Sequence, residues 1–455
     1  MSMGKRERKM LKYFLAFFAM LSFVAIIMRI IINNESINHE EAKFPEINIE
    51  LSGVTLDDIN NGDKNIRYFD NSLTVNDYNL EETIDGVEIK GRGNYSWMLD
   101  KKSYNIKLPY KISLLGLDKH KKWGLISNSI DDSFLRNDLG NLIAKYVSGK
   151  QTIDGRFAEL KVDERDLGLY YLSELVSIDK RSVDLRDPSA VLIEFDKVYC
   201  KYEEIYKKTY TLGDCLTLKD VGDKNNNRMV LFDSFLFDYN RFENTLLSKN
   251  YSEVFNYIDK KSWAEYYLTS EFTGNVDAYV TSWFLYKDGL NDKIHVGPAW
   301  DFDAGFGNKN WGNWPDEYYG PNMIMARLNY SFGERKDYVE GQKMGCRYDI
   351  EGKDDSLEYV SPVMCYLVDI PEFINEVRRL YREQLMWRRE EVLKYIRDRA
   401  NYIRDAAIHD NEMWGKGDFD EAVDYLIWWV DKRFDLFDGL YGGRKIEYFN
   451  NPLEV

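Results

Sequence analysis

The sequence predicts an α+β protein whose strands and helices lie in different parts of the chain. Short runs of alternating apolar and polar residues dominate the first third, and long runs with apolar residues at helical spacing dominate the last third. Segregation of this kind is typical of α+β architectures. The chain has 455 residues, of which 44% are hydrophobic, so it can build a sizeable core.

The first 32 residues predict a membrane anchor. Residues 1–12 form a basic segment, and residues 13–32 are mostly apolar and carry no charge apart from Arg29. A stretch of ~20 apolar residues is long enough to cross a bilayer. The basic flank predicts a cytoplasmic N-terminus, a single-pass anchor and an extracytoplasmic main domain. A cleavable signal peptide is the alternative, although no clear small-x-small cleavage site follows the apolar run.

Charge and cysteine content narrow the function classes. Beyond residue 32 the chain has 55 basic and 76 acidic residues, a net charge of −21, which argues against nucleic-acid binding. This balance favours cationic partners, or polyanions held through a divalent metal. The four cysteines lack a CxxC spacing, so a zinc ribbon is not expected. Outside the membrane, Cys200 and Cys215 could pair, and buried free thiols are an equal alternative.

After a polar linker at 33–44, residues 45–175 predict a strand-rich part, which the family resemblance given below implies to be the smaller lobe. Its clearest strands lie at 87–97, 101–108, 123–128, 157–163 and 167–176. One amphipathic helix interrupts them, with Leu135, Leu139 and Leu142 at helical spacing.

Residues 176–440 predict a part that becomes helical towards its end, which the same resemblance implies to be the larger lobe. Helices are expected over residues 262–273, over one long stretch from Pro371, and over a last stretch that ends before Gly442-Gly443. Residues 311–360 show little periodicity and predict a long loop region near the acidic stretch at residues 294–307, which is described next. Residues 441–455 form a tail.

The most informative stretch is IHVGPAWDFDAGFG, residues 294–307. A predicted strand ends here in two closely spaced acids, Asp301 and Asp303, followed by small and glycine residues. Carboxylates are hard oxygen ligands suited to a divalent metal, and glycines let a phosphate or backbone come close. A polar turn after a buried strand is the ordinary alternative.

Three other features fit a phosphate site. The turn GRGNYS, Gly91 to Ser96, could present backbone amides to a phosphate, and the strand KKSYNIKL carries lysines that could neutralise one. Asp277 lies in the loop GNVD, 24 positions before Asp301, where it could orient or deprotonate a hydroxyl. Alone, each has an ordinary explanation: a hairpin, solvated lysines or a cap.

In order, these segments resemble the spore coat protein H (CotH) kinase family. The resemblance rests on GRGNYSW…KKSYNIKL, KKWGLISNSIDDSFLRNDLG, GLYYLSE, NVDAYVTSWFLY and GPAWDFDAGFG, spread over roughly residues 87–307. It implies a diverged, two-lobe, protein-kinase-like fold. It also implies transfer of the ATP γ-phosphoryl group to serine hydroxyls of a protein substrate, with Mg²⁺ or Mn²⁺ as cofactor.

The resemblance also implies roles for individual residues. Asp301 matches the metal-holding acid, with Asp303 as its helper, and Asp277 matches the catalytic-loop acid. Either Lys102 or Lys107 would contact phosphate, and Arg92 could do so as well. Glu174 could pair with nucleotide or with a lysine. The candidate stacking surfaces for adenine are Tyr171 and Trp300.

One position departs from the family pattern. Ser282 stands where the family often has an asparagine, five residues after the catalytic acid. A serine hydroxyl is a shorter and weaker metal ligand than an amide carbonyl. The alternative function is therefore a catalytically weak or inactive binding or assembly protein at the cell envelope or spore coat.

Overall fold

The computed structural model describes residues 44–77, 80–149, 152–180, 182–225, 227–310, 319–322, 324 and 361–443. Of these residues, 45–76 and those from 81 onward belong to one compact unit. The predicted anchor at 13–32, most of the 311–360 region and the tail beyond residue 443 lie outside the described residues. Within the described ranges, no helix is both long enough and apolar enough to cross a membrane.

Seven strands close into a barrel in the order β1-β2-β3-β4-β5-β7-β6. Their bounds are β1 Glu46–Glu50, β2 Tyr68–Asp77, β3 Leu80–Arg92, β4 Ser103–Ile112, β5 His120–Ile126, β6 Gly155–Val162 and β7 Arg165–Glu174. Strand β1 pairs with β6 in parallel, and this pairing closes the barrel, whereas β4 is antiparallel to both β3 and β5.

Alternation along the strands divides the barrel wall into two faces. Ile89, Ile106 and Trp123 lie opposite one another on β3, β4 and β5, and all three are at most 1% exposed inside the barrel. The next residue pair in the same register is Lys90 and Asn105, which lies on the outer face. The outer face of β3–β5 is therefore polar, and it is this face that borders the cleft described below.

A second sheet of five strands follows the barrel in the order β12-β11-β8-β10-β9. Its strands are β8 Val191–Phe195, β9 Tyr206–Lys208, β10 Cys215–Val221, β11 Trp283–Lys287 and β12 His295–Val296. A disulfide joins Cys200 to Cys215. Of the two alternatives that the sequence left open for these cysteines, the structure has the paired one.

Helices supply the remaining layers. They are α1 Leu56–Asn61, α2 Arg136–Ser148, α3 Arg228–Leu247, α4 Tyr251–Val254, α5 Lys260–Thr273, α6 Val363–Leu367, α7 Pro371–Leu380, α8 Arg389–Trp414 and α9 Phe419–Phe437. Helix α2 lies between β5 and β6 in the chain and packs against α5. The α+β class, with a strand-rich N-terminal part and a helical C-terminal part, is confirmed.

The long helix expected from Pro371 is interrupted. Residues Tyr381–Leu385 form a π turn and Met386–Arg388 a 3-10 turn before α8 begins. In the interruption, the Tyr381 hydroxyl donates to Asp438 at 2.7 Å and the Arg382 Nε donates to the carbonyl of Tyr441 at 2.7 Å. Hydrogen bonds to the residues just after α9 therefore hold the irregular turn. The local spacing of apolar residues does not reveal these bonds.

A buried ionic cluster ties the barrel to α8. Lys101 is 2% exposed; its ammonium donates to Asp410 and to the carbonyl of Leu169. Asp410 also accepts from the Leu169 N–H at 2.7 Å and lies 3.3 Å from the Lys416 ammonium. Burial lowers the pKa of Lys101 to about 7, against the opposing effect of Asp410. Removing one partner of a buried ion pair of this kind is strongly destabilising.

Candidate active site

A cleft of about 900 Å³ lies against the outer face of the barrel. One wall comes from β3, β4 and the loop after β5, and the other from residues that follow α5 and β12. Six of the residues predicted from sequence line it: Arg92, Asp277, Ser282, Trp300, Asp301 and Asp303. Side chains separated by up to 211 positions in the sequence therefore share one cavity.

Asp301 is held in a defined backbone conformation. Its φ of 66° lies in the left-handed region, which aspartate tolerates better than most residues. The Asn275 side-chain amide donates to the Asp301 carbonyl at 2.8 Å, and the Ser282 hydroxyl donates to an Asp301 carboxylate oxygen at 3.0 Å. These two bonds fix both the backbone and the carboxylate of Asp301.

Helix α2 positions the segment between the two acids. The Phe302 N–H donates to the Asn137 side chain at 2.8 Å, and the ring of Phe302 packs against Gly140. Arg136 donates to the carbonyl of Gly305 at 3.2 Å. Since Phe302 lies between Asp301 and Asp303, the start of α2 determines where both carboxylates point.

The carboxylates in this wall repel one another. Burial, followed by the charges of Asp301, Asp277 and Asp131, raises the pKa of Asp303 well above its usual value. Crowding of this kind favours protonation of one acid or the arrival of a compensating cation. The cluster is therefore a region of concentrated negative potential inside the cleft.

The donor set fits a divalent metal bound together with phosphate. Among the described residues, no group of three or more His, Cys, Asp or Glu side chains is arranged to hold a metal ion. Mg²⁺, however, is usually held by one or two carboxylates, with phosphate and water completing its shell. Asp301 and Asp303, with the Ser282 hydroxyl beside them, supply that smaller set, and a cation would relieve the repulsion at Asp303.

Asp277 is positioned by its own loop. Its N–H donates to the Asn275 side chain at 3.1 Å, and its carbonyl accepts from the N–H groups of Val280 and Thr281, both at 3.1 Å. Asn275, which is 4% exposed, thus bonds to Asp277 through its oxygen and to Asp301 through its nitrogen. One buried amide sets the relative position of the two acids.

Arg92 faces the acids from the barrel wall. Its guanidinium lies 5.2 Å from the centre of the Trp300 ring, and it donates to Asn105 at 3.2 Å. Burial lowers the pKa of Arg92, while the charges of Asp301, Glu194 and Asp303 oppose that shift. Arg92 therefore supplies a positive charge opposite the carboxylates, as an anionic ligand bridging the two walls would require.

Four predicted residues are not brought to the cleft. Lys102 donates to the carbonyls of Trp97 and Leu99 at 2.8 and 2.9 Å, and Lys107 pairs with Glu88. Tyr171, 1% exposed, donates to Asp138 at 3.2 Å within the core. Glu174 is buried 3.2 Å from His120. None of these four side chains lines the cavity.

Other residues line the cleft that sequence reasoning missed. Glu194 pairs with Lys219 at 2.7 Å, and Tyr199 lies near Asp277, whose charge adds to burial in raising the tyrosine pKa. Lys90 shares the outer face of β3 with Arg92, two residues away. The two-residue period of strand β3 was the sequence signal that could have identified Lys90. Nothing local marks Glu194, which lies on β8 of the second sheet, or Tyr199, which lies in the loop that follows β8.

The fold and the cleft define an α+β protein with an acidic ligand cleft faced by an arginine. The chain belongs to the CotH kinase protein family, whose sequence model matches residues 89–436. All the cleft residues named above lie inside that range.

A curated relative is also similar. Inner spore coat protein H of Bacillus subtilis (strain 168) is 24% identical over 336 residues, which cover 70% of this chain and 86% of that protein. The similarity therefore extends well beyond the cleft motifs.

Proposed function

We propose that the protein is a membrane-anchored phosphotransferase that moves the γ-phosphoryl group of ATP to serine hydroxyls of a protein substrate. The observation that carries this proposal is the convergence of Asp277, Asp301 and Asp303 in one cleft opposite Arg92. Membership of the CotH kinase protein family supports the same reaction class.

In this reaction the serine oxygen forms a bond to the γ-phosphorus, and the bond from that phosphorus to the β–γ bridging oxygen breaks, releasing ADP. Asp277 orients the serine hydroxyl and accepts its proton. Arg92 binds and neutralises phosphate oxygens. Asp301 and Asp303 would hold Mg²⁺ or Mn²⁺, which when bound offsets phosphate charge. Asn275 holds Asp277 and Asp301 in a fixed position relative to each other.

The test is phosphoryl transfer by the full-length protein. Wild type is incubated with γ-labelled ATP, Mg²⁺ or Mn²⁺ and a serine-rich protein, beside Asp301→Ala and Asp277→Asn. Asp424→Asn is the matched control, since Asp424 is exposed on α9. Transfer by wild type and the control, with loss in the two cleft variants, supports the proposal. Equally low transfer by wild type and Asp301→Ala overturns it.

A second candidate is a binding or assembly protein with weak or no catalysis. It is favoured by Ser282, whose hydroxyl donates to Asp301 at 3.0 Å where the family often has an asparagine. Thermal unfolding with and without MgATP separates the candidates. Stabilisation by MgATP that disappears in Asp301→Ala supports nucleotide use, and no stabilisation of wild type favours the assembly role.

The site of action is proposed to be the cell envelope or spore surface. The name of the Bacillus subtilis relative, an inner spore coat protein, supports this placement. The Cys200–Cys215 disulfide supports an oxidising compartment, where such bonds persist. Because the described cysteines are disulfide-bonded, the orientation is tested by labelling, in intact cells, a cysteine introduced at an exposed position of the main domain. A cysteine that reacts only after lysis contradicts the extracytoplasmic orientation.

A further inference from the structure

A second pocket, of about 230 Å³, lies next to the cleft on the outer face of the barrel. Five cationic side chains line it, against two carboxylates: Arg67, Lys90, Lys107, Lys122 and Lys219. Lys219 is neutralised from outside this lining, since its ammonium lies 2.7 Å from Glu194 and 3.6 Å from Glu203. The whole chain carries a net charge of −16. A local excess of positive charge in so acidic a protein needs a physical reason.

Strand register brings like charges together in this pocket. Lys107 on β4 lies directly opposite Lys122 on β5, and opposite Glu88 on β3. Like charges facing one another across two strands are destabilising. Glu88 also lies 3.4 Å from Arg67, so a single carboxylate is shared between Lys107 and Arg67. The arrangement leaves positive charge uncompensated.

Two of the lysines have no protein partner among the described residues. Lys90 and Lys122 form no ion pair and donate no side-chain hydrogen bond in the part of the chain that the structure describes. Lys122 is exposed, whereas Lys90 is half-buried at the boundary shared by the pocket and the cleft. Burial and the nearby charge of Arg67 lower the pKa of Lys90. An ammonium group in this position is available to an external anion.

The spacing of the cations favours a polymer over a single ion. Four of the cations form a row along the sheet: Lys107 and Lys122 share one level, Lys90 lies two residues further along, and Arg92 lies two residues beyond Lys90. Each step is about 7 Å, which equals the distance between alternate side chains of an extended polypeptide. A phosphate group presents three acceptor oxygens and up to two negative charges, so it suits paired lysines better than a carboxylate does.

We infer that this row of cations binds an extended polypeptide segment carrying phosphorylated serines, alongside the cleft. Lys90 and Arg92 also line the cleft, but peptide binding requires neither nucleotide nor catalysis, so it can be measured separately from the proposed phosphotransfer. It assigns a role to Lys107 that differs from the nucleotide contact expected from sequence.

The experiment measures fluorescence anisotropy of a labelled peptide with phosphoserine at alternate positions. The full-length protein is used without ATP and with EDTA, so that the acidic cleft does not hold the peptide through metal. The variants are Lys122→Gln and the double Lys107→Gln/Lys122→Gln. The matched control is Lys119→Gln, because Lys119 is exposed in the same region and does not line the pocket.

We expect the double variant to weaken binding by roughly tenfold, Lys122→Gln alone by roughly threefold, and Lys119→Gln not at all. The single variant changes only an exposed side chain, so it remains informative if the double variant unfolds. Equal affinity of wild type and Lys122→Gln overturns the inference, as does equal binding of the unphosphorylated peptide. Displacement by equimolar inorganic phosphate would assign the pocket to a free anion and overturn the polypeptide assignment.

Discussion

Gly140 and Phe302 are in direct contact, with no room between them for a side chain. A Cβ placed on Gly140 would lie 2.1 Å from Phe302 Cγ, far inside contact distance. Phe302 lies between the two acids of the cleft, Asp301 and Asp303. The absence of a side chain at Gly140 therefore lets the Phe302 ring take the position from which both acids reach the cavity.

We therefore predict that Gly140→Ala displaces Phe302 and damages the site. Overpacking a buried contact costs about 1–3 kcal/mol, although alanine's better helix propensity recovers part of it. Thermal unfolding without ligand should show a lower melting temperature than wild type. The rise in melting temperature on adding MgATP should also be smaller than in wild type. Lys145→Ala, at an exposed position of α2, is the control and should change neither. An unaltered response to MgATP in Gly140→Ala would contradict this account.

Replacing the arginine that faces the acids should weaken nucleotide binding. Arg92→Gln removes a charge-assisted donor, and we expect a loss of roughly 10- to 100-fold in affinity for MgATP. Arg92→Lys keeps the charge without the planar fork and should retain part of the affinity. Isothermal titration calorimetry measures both. Arg67→Gln, which does not line the cleft, should bind MgATP like wild type.

Ser282→Asn should strengthen metal-dependent binding. The asparagine carbonyl is a better metal ligand than the serine hydroxyl, and it reaches further towards the Asp301 carboxylate that Ser282 now contacts. Titration of Mn²⁺ in the presence of ATP should give an affinity higher by roughly threefold to tenfold. A lower affinity, with an unchanged melting temperature, would mean that the Ser282 hydroxyl itself is the preferred ligand.

A buried carboxyl outside the cleft should make stability depend on pH. Glu243 on α3 is fully buried, and burial together with the charge of Asp214 raises its pKa to about 8. Between 4.5, the ordinary value, and about 8, the folded state keeps a proton that the unfolded state has lost. The stability contributed by protonated Glu243 is therefore complete below the lower value and is lost as the pH rises through the higher one.

Glu243→Gln is neutral at every pH and should remove this dependence. The unfolding free energy of the variant relative to wild type should rise from pH 5 to pH 9, by an amount on the order of 4 kcal/mol. Chemical denaturation at the two pH values measures it. Glu253→Gln changes an exposed glutamate on α4 and should show no such trend. A constant difference between Glu243→Gln and wild type would show that Glu243 titrates normally.

The acidic loops of the site were the part most accessible to sequence reasoning. Asp277 and Asp301 each follow a regular element, and the chain between them turns back once, so their approach follows from local order. Arg92 was accessible for the same reason, since it ends β3. Asn275 was not, because its function depends on bonding to a loop 26 residues away.

The side of the strand was harder to predict for Tyr171 and Glu174. Eight consecutive residues of β7, from Leu167 onward, are buried, so the strand shows no alternation from which to choose a face. Tyr171 packs against Gly155 and bonds to α2, neither of which is near it in sequence. Lys102 misleads for a different reason: its ammonium returns to carbonyls only three and five residues earlier.

The contact between Lys101 and Asp410 joins residues 309 positions apart. At a synthesis rate of ~5–20 residues per second, the barrel strands leave the ribosome roughly 15–60 s before the acid that neutralises their buried lysine. The barrel must wait in an incomplete state, with Lys101 hydrated or unpaired, until α8 has been made. Deleting the chain from α8 onward should therefore leave the barrel prone to aggregation rather than release it as an independent domain.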